Sequence, residues 1–106
     1  MPKKLTPHDM ALAALVPDDE REEFDRGVEV LIARNRALEI LEKERRAQKV
    51  SKRVLADRAG LDYASVRRLL TSDTANPTTE TMLRLFSALH IHVQAKLPSG
   101  RVVGLV

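Results

Sequence analysis

The chain has no cysteine and no tryptophan, and its 106 residues include only three aromatic rings, Phe24, Tyr63 and Phe86. Lack of cysteine excludes a disulfide framework and any thiolate metal site. So few rings leave the core to Leu, Val, Ile and Ala, a composition that favours helices over a β-sandwich. No apolar run approaches a membrane span. The stretch from Ala11 to Val16 is too short for the apolar region of a secretory signal and runs at once into acids. A cytoplasmic protein without membrane contact is expected. His8, His90 and His92 have no further ligands at a metal-binding spacing. A nucleophile elbow, a glycine-rich phosphate loop and a paired-carboxylate site are all missing. The expectation is a non-enzyme with no metal and no cofactor.

Charge is present in quantity and unevenly placed. The net charge is only +3, yet residues 18–42 hold nine acids against four bases. Residues 43–70 reverse this, with nine bases (Lys43, Arg45, Arg46, Lys49, Lys52, Arg53, Arg58, Arg67, Arg68) against three acids. Positive charge gathered on one segment is the footprint of a phosphate-contacting surface. A solvated basic helix end is the plainer explanation, and the folding pattern of the segment decides between them.

The length suits one domain with a modest core. Residues 1–17 read as an N-terminal arm with a short helix, opened by Thr6-Pro7 and stopped by Pro17. Residues 18–47 read as one long amphipathic helix with an acidic first turn. In it Phe24, Val28, Leu31, Ala33 or Asn35, Leu38 and Leu41 recur at spacings of three and four, broadened by Ile32 and Ile40. That stripe exceeds what a small domain can cover, so part of it is expected to serve a partner or a dimer.

Residues 48–90 read as three helices. Ser51 caps the first, with Val50 able to pack on Leu55, and Gly60 ends it in a left-handed conformation. Asp62 caps the second, which turns Val66, Leu69 and Leu70 inward and leaves Tyr63, Ala64, Ser65, Arg67 and Arg68 outward. After a loop over residues 72–77, Thr78 caps the third, which is dense in apolar residues from Met82 to Leu89. Two short helices hinged at a glycine, the second carrying arginines outward, are how a chain places a helix in the major groove of DNA. Beyond His90 the period changes to two, and Leu97-Pro98-Ser99-Gly100-Arg101 is turn chemistry. Residues 91–106 therefore read as a β-hairpin. A lone hairpin is marginal in water and needs either the helices, with packing on the 78–89 helix, or a second subunit, for which Val93, Leu97, Val103 and Leu105 are the candidate dimer interface.

Leu55-Ala56, Gly60-Leu61, the apolar Val66, Asn76-Pro77-Thr78, and Leu83 through Ala88-Leu89 occur together in residues 51–91. In this combination the segment resembles the Xre/Cro family of helix-turn-helix repressors. The long leading helix and added hairpin look like its antitoxin branch, in particular HigA-type antitoxins of type II toxin–antitoxin systems. The resemblance implies a mostly α fold: a five-helix-like helix-turn-helix domain with a long leading helix and a C-terminal hairpin. It also implies a homodimer on a palindromic operator in double-stranded DNA, repressing its own operon and neutralising a basic, ribonuclease-type toxin by direct contact.

By position in the family, Lys52 stands where a phosphate- or base-contacting glutamine is usual. Tyr63, Ala64 and Arg67 face base edges, flanked by Ser65 and Arg68, and Lys49 and Arg53 complete the DNA-binding set. Leu70 and Ser72 depart from the Glu and Gly that many members carry there. Toxin contact is expected on the acidic helix at Phe24, Val28 and Leu31. A plain transcriptional regulator without a toxin, and a helical protein–protein adaptor, are the alternatives.

Overall fold

The computed structural model describes residues 17–72 and 75–106, together with Pro7 and Leu15. Apart from those two residues, the helix expected over 6–16 lies outside the described residues, as do Asp73 and Thr74 of the expected loop. A 3-10 turn over Asp18–Glu20 leads into α1 (Arg21–Ala47), followed by α2 (Lys52–Ala59), α3 (Tyr63–Thr71) and α4 (Thr79–Ala88). Strands β1 (Gln94–Lys96) and β2 (Val102–Gly104) close the chain as an antiparallel pair. The fold is mostly helical with a long leading helix and a C-terminal hairpin, as the sequence predicts.

The backbone divides into two compact units, one ending at Ile40 and the other running from Leu41 to Val106. The long helix spans this division, and its last two turns belong to the second unit. On the first unit's part of α1, Phe24, Val28, Leu31 and Leu38 are half-buried. Asn35 is buried whereas Ala33 is exposed, which settles which of the two belongs to the stripe. Ile40, expected to broaden the stripe, is 52% exposed and Val30 is 68% exposed. Ile32, the other residue expected to broaden the stripe, is half-buried.

The second unit is built around Leu41, Leu55, Leu85 and Leu89, which are all but inaccessible to solvent, with Val66 and the small Ala56 between them. Alanines at 56 and 59 let helices approach closely enough for these leucines to interdigitate. Three helices in this unit end the same way. Past each end the chain takes one left-handed residue: Lys49 at φ 57°, Gly60 at 68° and His90 at 59°. After each, the next N–H donates back to a carbonyl five residues earlier: Val50 to Arg45, Leu61 to Ala56 and Ile91 to Phe86, at 2.9–3.0 Å. This satisfies carbonyls the helix end would otherwise orphan. The Gln48 Nε2 donates to the Leu89 carbonyl at 2.7 Å and ties the first of these turns to the third.

In the hairpin Gln94 pairs with Gly104, Ala95 with Val103 and Lys96 with Val102. The turn is closed by the Gly100 N–H on the Leu97 carbonyl at 2.9 Å, with Gly100 at φ 90°. Strand alternation then sets Val93, Ala95 and Leu97 on one face with Val103 and Leu105. Of the four candidate dimer residues, Val93 and Val103 are half-buried, while Leu97 and Leu105 are exposed.

Candidate nucleic-acid interface

Helix α3 starts where it does because of Asp62. Its carboxylate accepts the backbone N–H of Ser65 and the Ser65 hydroxyl, both at 2.9 Å. The Ser65 N–H, and then the hydroxyl, hold the Asp62 carboxyl below the usual carboxylate range, and the charge of Arg68 adds to this. Ser51 does the same for α2, accepting from the Val54 N–H at 3.1 Å. Between the two helices, Gly60 makes the turn. A Cβ there would sit 3.3 Å from Nη1 of Arg84, besides being strained at that φ. Arg84 itself reaches back from α4, donating from Nη1 to the Ala59 carbonyl at 3.4 Å and from Nη2 to Glu80 at 3.0 Å. It thereby ties α4 to the end of α2.

Val66 is buried, and Leu69 and Leu70 are half-buried, so α3 is anchored by one face. Its opposite face carries Ala64, Arg67, Arg68 and Thr71, which with Lys52 of α2 line one open groove. Ala64, Arg67 and Arg68 were expected there and are all exposed. Thr71 was not expected. It lies seven residues after Ala64, two helical turns on, and extending the outward stripe by one step would have found it. Its hydroxyl donates to the Arg67 carbonyl at 2.8 Å.

The other expected DNA contacts are dispersed around this groove. Ser65 is exposed, but its proton is committed to Asp62, and it lines a depression on the other side of α3 with Asn76, Pro77 and Thr78. Lys49 is exposed on the left-handed turn that ends α1 and does not line the groove. Arg53 and Tyr63 have found each other: the guanidinium carbon sits 4.2 Å from the centre of the half-buried ring. Ser72 is extended at φ −91° and ψ 133°, its N–H donating to the Arg68 carbonyl at 2.8 Å.

The charge count needs one correction. Arg45 and Arg46 belong to the basic block by sequence, but both pair with Glu42, at 3.0 Å from each Nε. Arg45 also donates to the Val50 carbonyl at 2.8 Å, so it holds the start of the domain together and does not face solvent as a phosphate contact. The Arg45 hydrogen bonds, foremost, hold the Glu42 carboxyl below its usual range, against the opposing effect of burial. Of the seven other bases, Lys52, Arg53, Arg67 and Arg68 gather about α3 and the first turn of α2, while Lys43, Lys49 and Arg58 lie elsewhere along the segment.

Two short helices joined by a tight left-handed turn, the second presenting a cationic stripe and braced by a third helix, define a helix-turn-helix DNA-binding domain. The helix-turn-helix family model matches residues 41–95, just over half of the chain. The chain belongs to that Xre/Cro-type family of DNA-binding regulators. The match begins at Leu41, where the second compact unit also begins. No curated protein and no solved structure matches the chain. Among the described residues no helix is long and apolar enough to cross a membrane.

Proposed function

We propose that this protein is a sequence-specific repressor that binds a palindromic operator as a homodimer and is also the antitoxin of a basic, ribonuclease-type toxin. The observation that carries the repressor reading is the groove between Lys52 and the Ala64–Thr71 face of α3, with two arginines in its lining. Arg67 is the guanine reader in this proposal, because a planar fork matches the O6 and N7 acceptors of one base. Lys52 supplies phosphate contact. No catalytic role is assigned to any residue.

A single recognition helix reads only a few base pairs, which is why a dimer is part of the proposal. The C-terminal hairpin is its interface. In support, Leu97, Val102 and Leu105 expose apolar surface next to strand edges that have no neighbour among the described residues. Selection of duplexes from a random library, followed by footprinting, tests the reading. Two half-sites about 34 Å apart, or a multiple of that, are expected. A single half-site bound at full affinity refutes the dimer.

The antitoxin part rests on charge and on the division of the chain. The acids of residues 18–42 lie for the most part in the first unit, while the cationic groove lies in the second. Phe24, Val28 and Leu31 are half-buried there and retain some surface for a basic partner, whose approach the acids would steer. A Phe24→Ala, Leu31→Ala variant that still binds operator but no longer binds the toxin supports this surface. Unchanged neutralisation by that variant removes it.

A further inference from the structure

The first turn of α2 carries two adjacent cations with different surroundings. Lys52 lines the groove beside Arg67 and Arg68. Arg53, one residue on, lies over the ring of Tyr63 at 4.2 Å from its centre, a distance at which a guanidinium covers one face of the ring. Tyr63 is the first residue of α3, immediately after the Asp62 cap. In a helix-turn-helix that end of the second helix is the one that meets base edges. A tyrosine ring there has two torsions to settle, and the stack settles them before any DNA arrives.

We propose that Arg53 is a positioning residue that acts through Tyr63: the stack holds the ring at the leading end of the recognition helix, where Tyr63 contacts a base pair. The pair contributes to sequence preference, whereas neighbouring Lys52 contributes charge alone. The proposal rests on the operator-binding reading, and it separates two cations that a charge count treats alike. Its chemical content is the planar fork. Lysine at position 53 keeps the positive charge but offers no flat face to the ring.

Two measurements test it. Tyr63 is the single tyrosine in a chain without tryptophan, so its emission is the protein's own reporter of that ring. In the free protein, Arg53→Lys is expected to enlarge the fast component of the tyrosine anisotropy decay, and Lys52→Arg is expected to leave it alone. Unchanged ring mobility in Arg53→Lys overturns the proposal without reference to DNA.

The second measurement compares a duplex selected by the parent protein from a random library with a scrambled duplex of the same composition. The parent's own discrimination between the two checks the operator-binding reading before any variant is made. Arg53→Lys is expected to lower that discrimination by up to about fivefold, the most an exposed cation–π contact supports, since an ammonium keeps the charge but loses the flat stack. Affinity for the scrambled duplex and its salt dependence stay as in the parent. In a Tyr63→Leu background the same substitution is expected to change nothing further, whereas in Tyr63→Phe, which keeps the ring, it acts as before. Equal weakening on both duplexes, or an undiminished effect in the Tyr63→Leu background, overturns the proposal and makes Arg53 an ordinary phosphate contact.

Discussion

Replacing Arg45 by methionine should cost this domain more than any other single loss of charge. Nε of Arg45 donates to Oε2 of Glu42 at 3.0 Å, Nη2 donates to Oε1, and Nη1 donates to the Val50 carbonyl at 2.8 Å. The two side chains keep only 14% and 19% of their exposure, which makes this neither a core pair nor a loose surface pair. Exposed pairs contribute about 0–1 kcal/mol, while removing one partner of a buried pair costs about 3–5 kcal/mol. Burial of this degree falls between, and the lost bond to Val50 adds about 1 kcal/mol. The expected destabilisation at neutral pH is therefore about 2–3 kcal/mol. In a domain of this size that is a fall in Tm of about 10–20 °C.

The same pair fixes how the loss depends on pH. Hydrogen bonds from Arg45 are the main cause of the lowered pKa of Glu42, with the charges of Arg45 and Arg46 adding to them. A carboxyl whose pKa is lower in the folded state stabilises the fold above its unfolded value, about 4.3, and loses that contribution as pH falls through the folded value. The gap between parent and Arg45→Met should thus be widest near pH 7 and shrink below about pH 4, leaving the Val50 bond. Urea unfolding followed by circular dichroism at both ends of that range measures it. The double variant Glu42→Leu, Arg45→Met should recover part of the loss, since the single variant leaves Glu42 only the exposed Arg46 as a partner. A cost below about 1 kcal/mol at pH 7, or one of equal size at pH 3, would show an ordinary surface pair and refute the reasoning.

Arg67→Ala is expected to cost about 1–3 kcal/mol on the selected duplex and to relax preference at one base pair, measured by competition among single-base variants. An equal loss on random DNA would remove its base-reading role. Lys52→Gln should weaken binding to all duplexes alike and lower the slope of log affinity against log salt by about one. A change in base preference with an unchanged slope would contradict the assignment to phosphate. His90→Gly should raise stability by about 0.5–1 kcal/mol, because a left-handed residue with a Cβ is strained and glycine is not. Thermal melts decide this, and a variant less stable than the parent shows that the His90 side chain contributes more than its backbone costs.

What could be read from the sequence was what a residue does to its own neighbourhood. Ser51, Asp62 and Thr78 each cap a helix because a short polar side chain reaches an N–H three residues on, and each was legible. Gly60 was legible for the same local reason. Lys49 and His90 take the same left-handed turn without glycine, and nothing in their own chemistry announces it. Their turns are held by the tertiary bond from Gln48 to the Leu89 carbonyl, across 41 residues of chain. The site divides along the same line. The outward stripe of α3 follows from helical spacing, so Ala64, Arg67 and Arg68 were found, and Thr71 needed only one more step. The Arg53–Tyr63 stack joins two helices across the Gly60 turn, and no periodicity contains it.

Arg45 shows the cost of counting charges before knowing the fold. It adds to the basic block by sequence, and yet its guanidinium is occupied by Glu42 and Val50. The charge available to DNA is what remains after such internal pairs are removed. The salt dependence of binding should accordingly report the cations around α3 and the first turn of α2, and fewer phosphates than nine bases per chain would suggest.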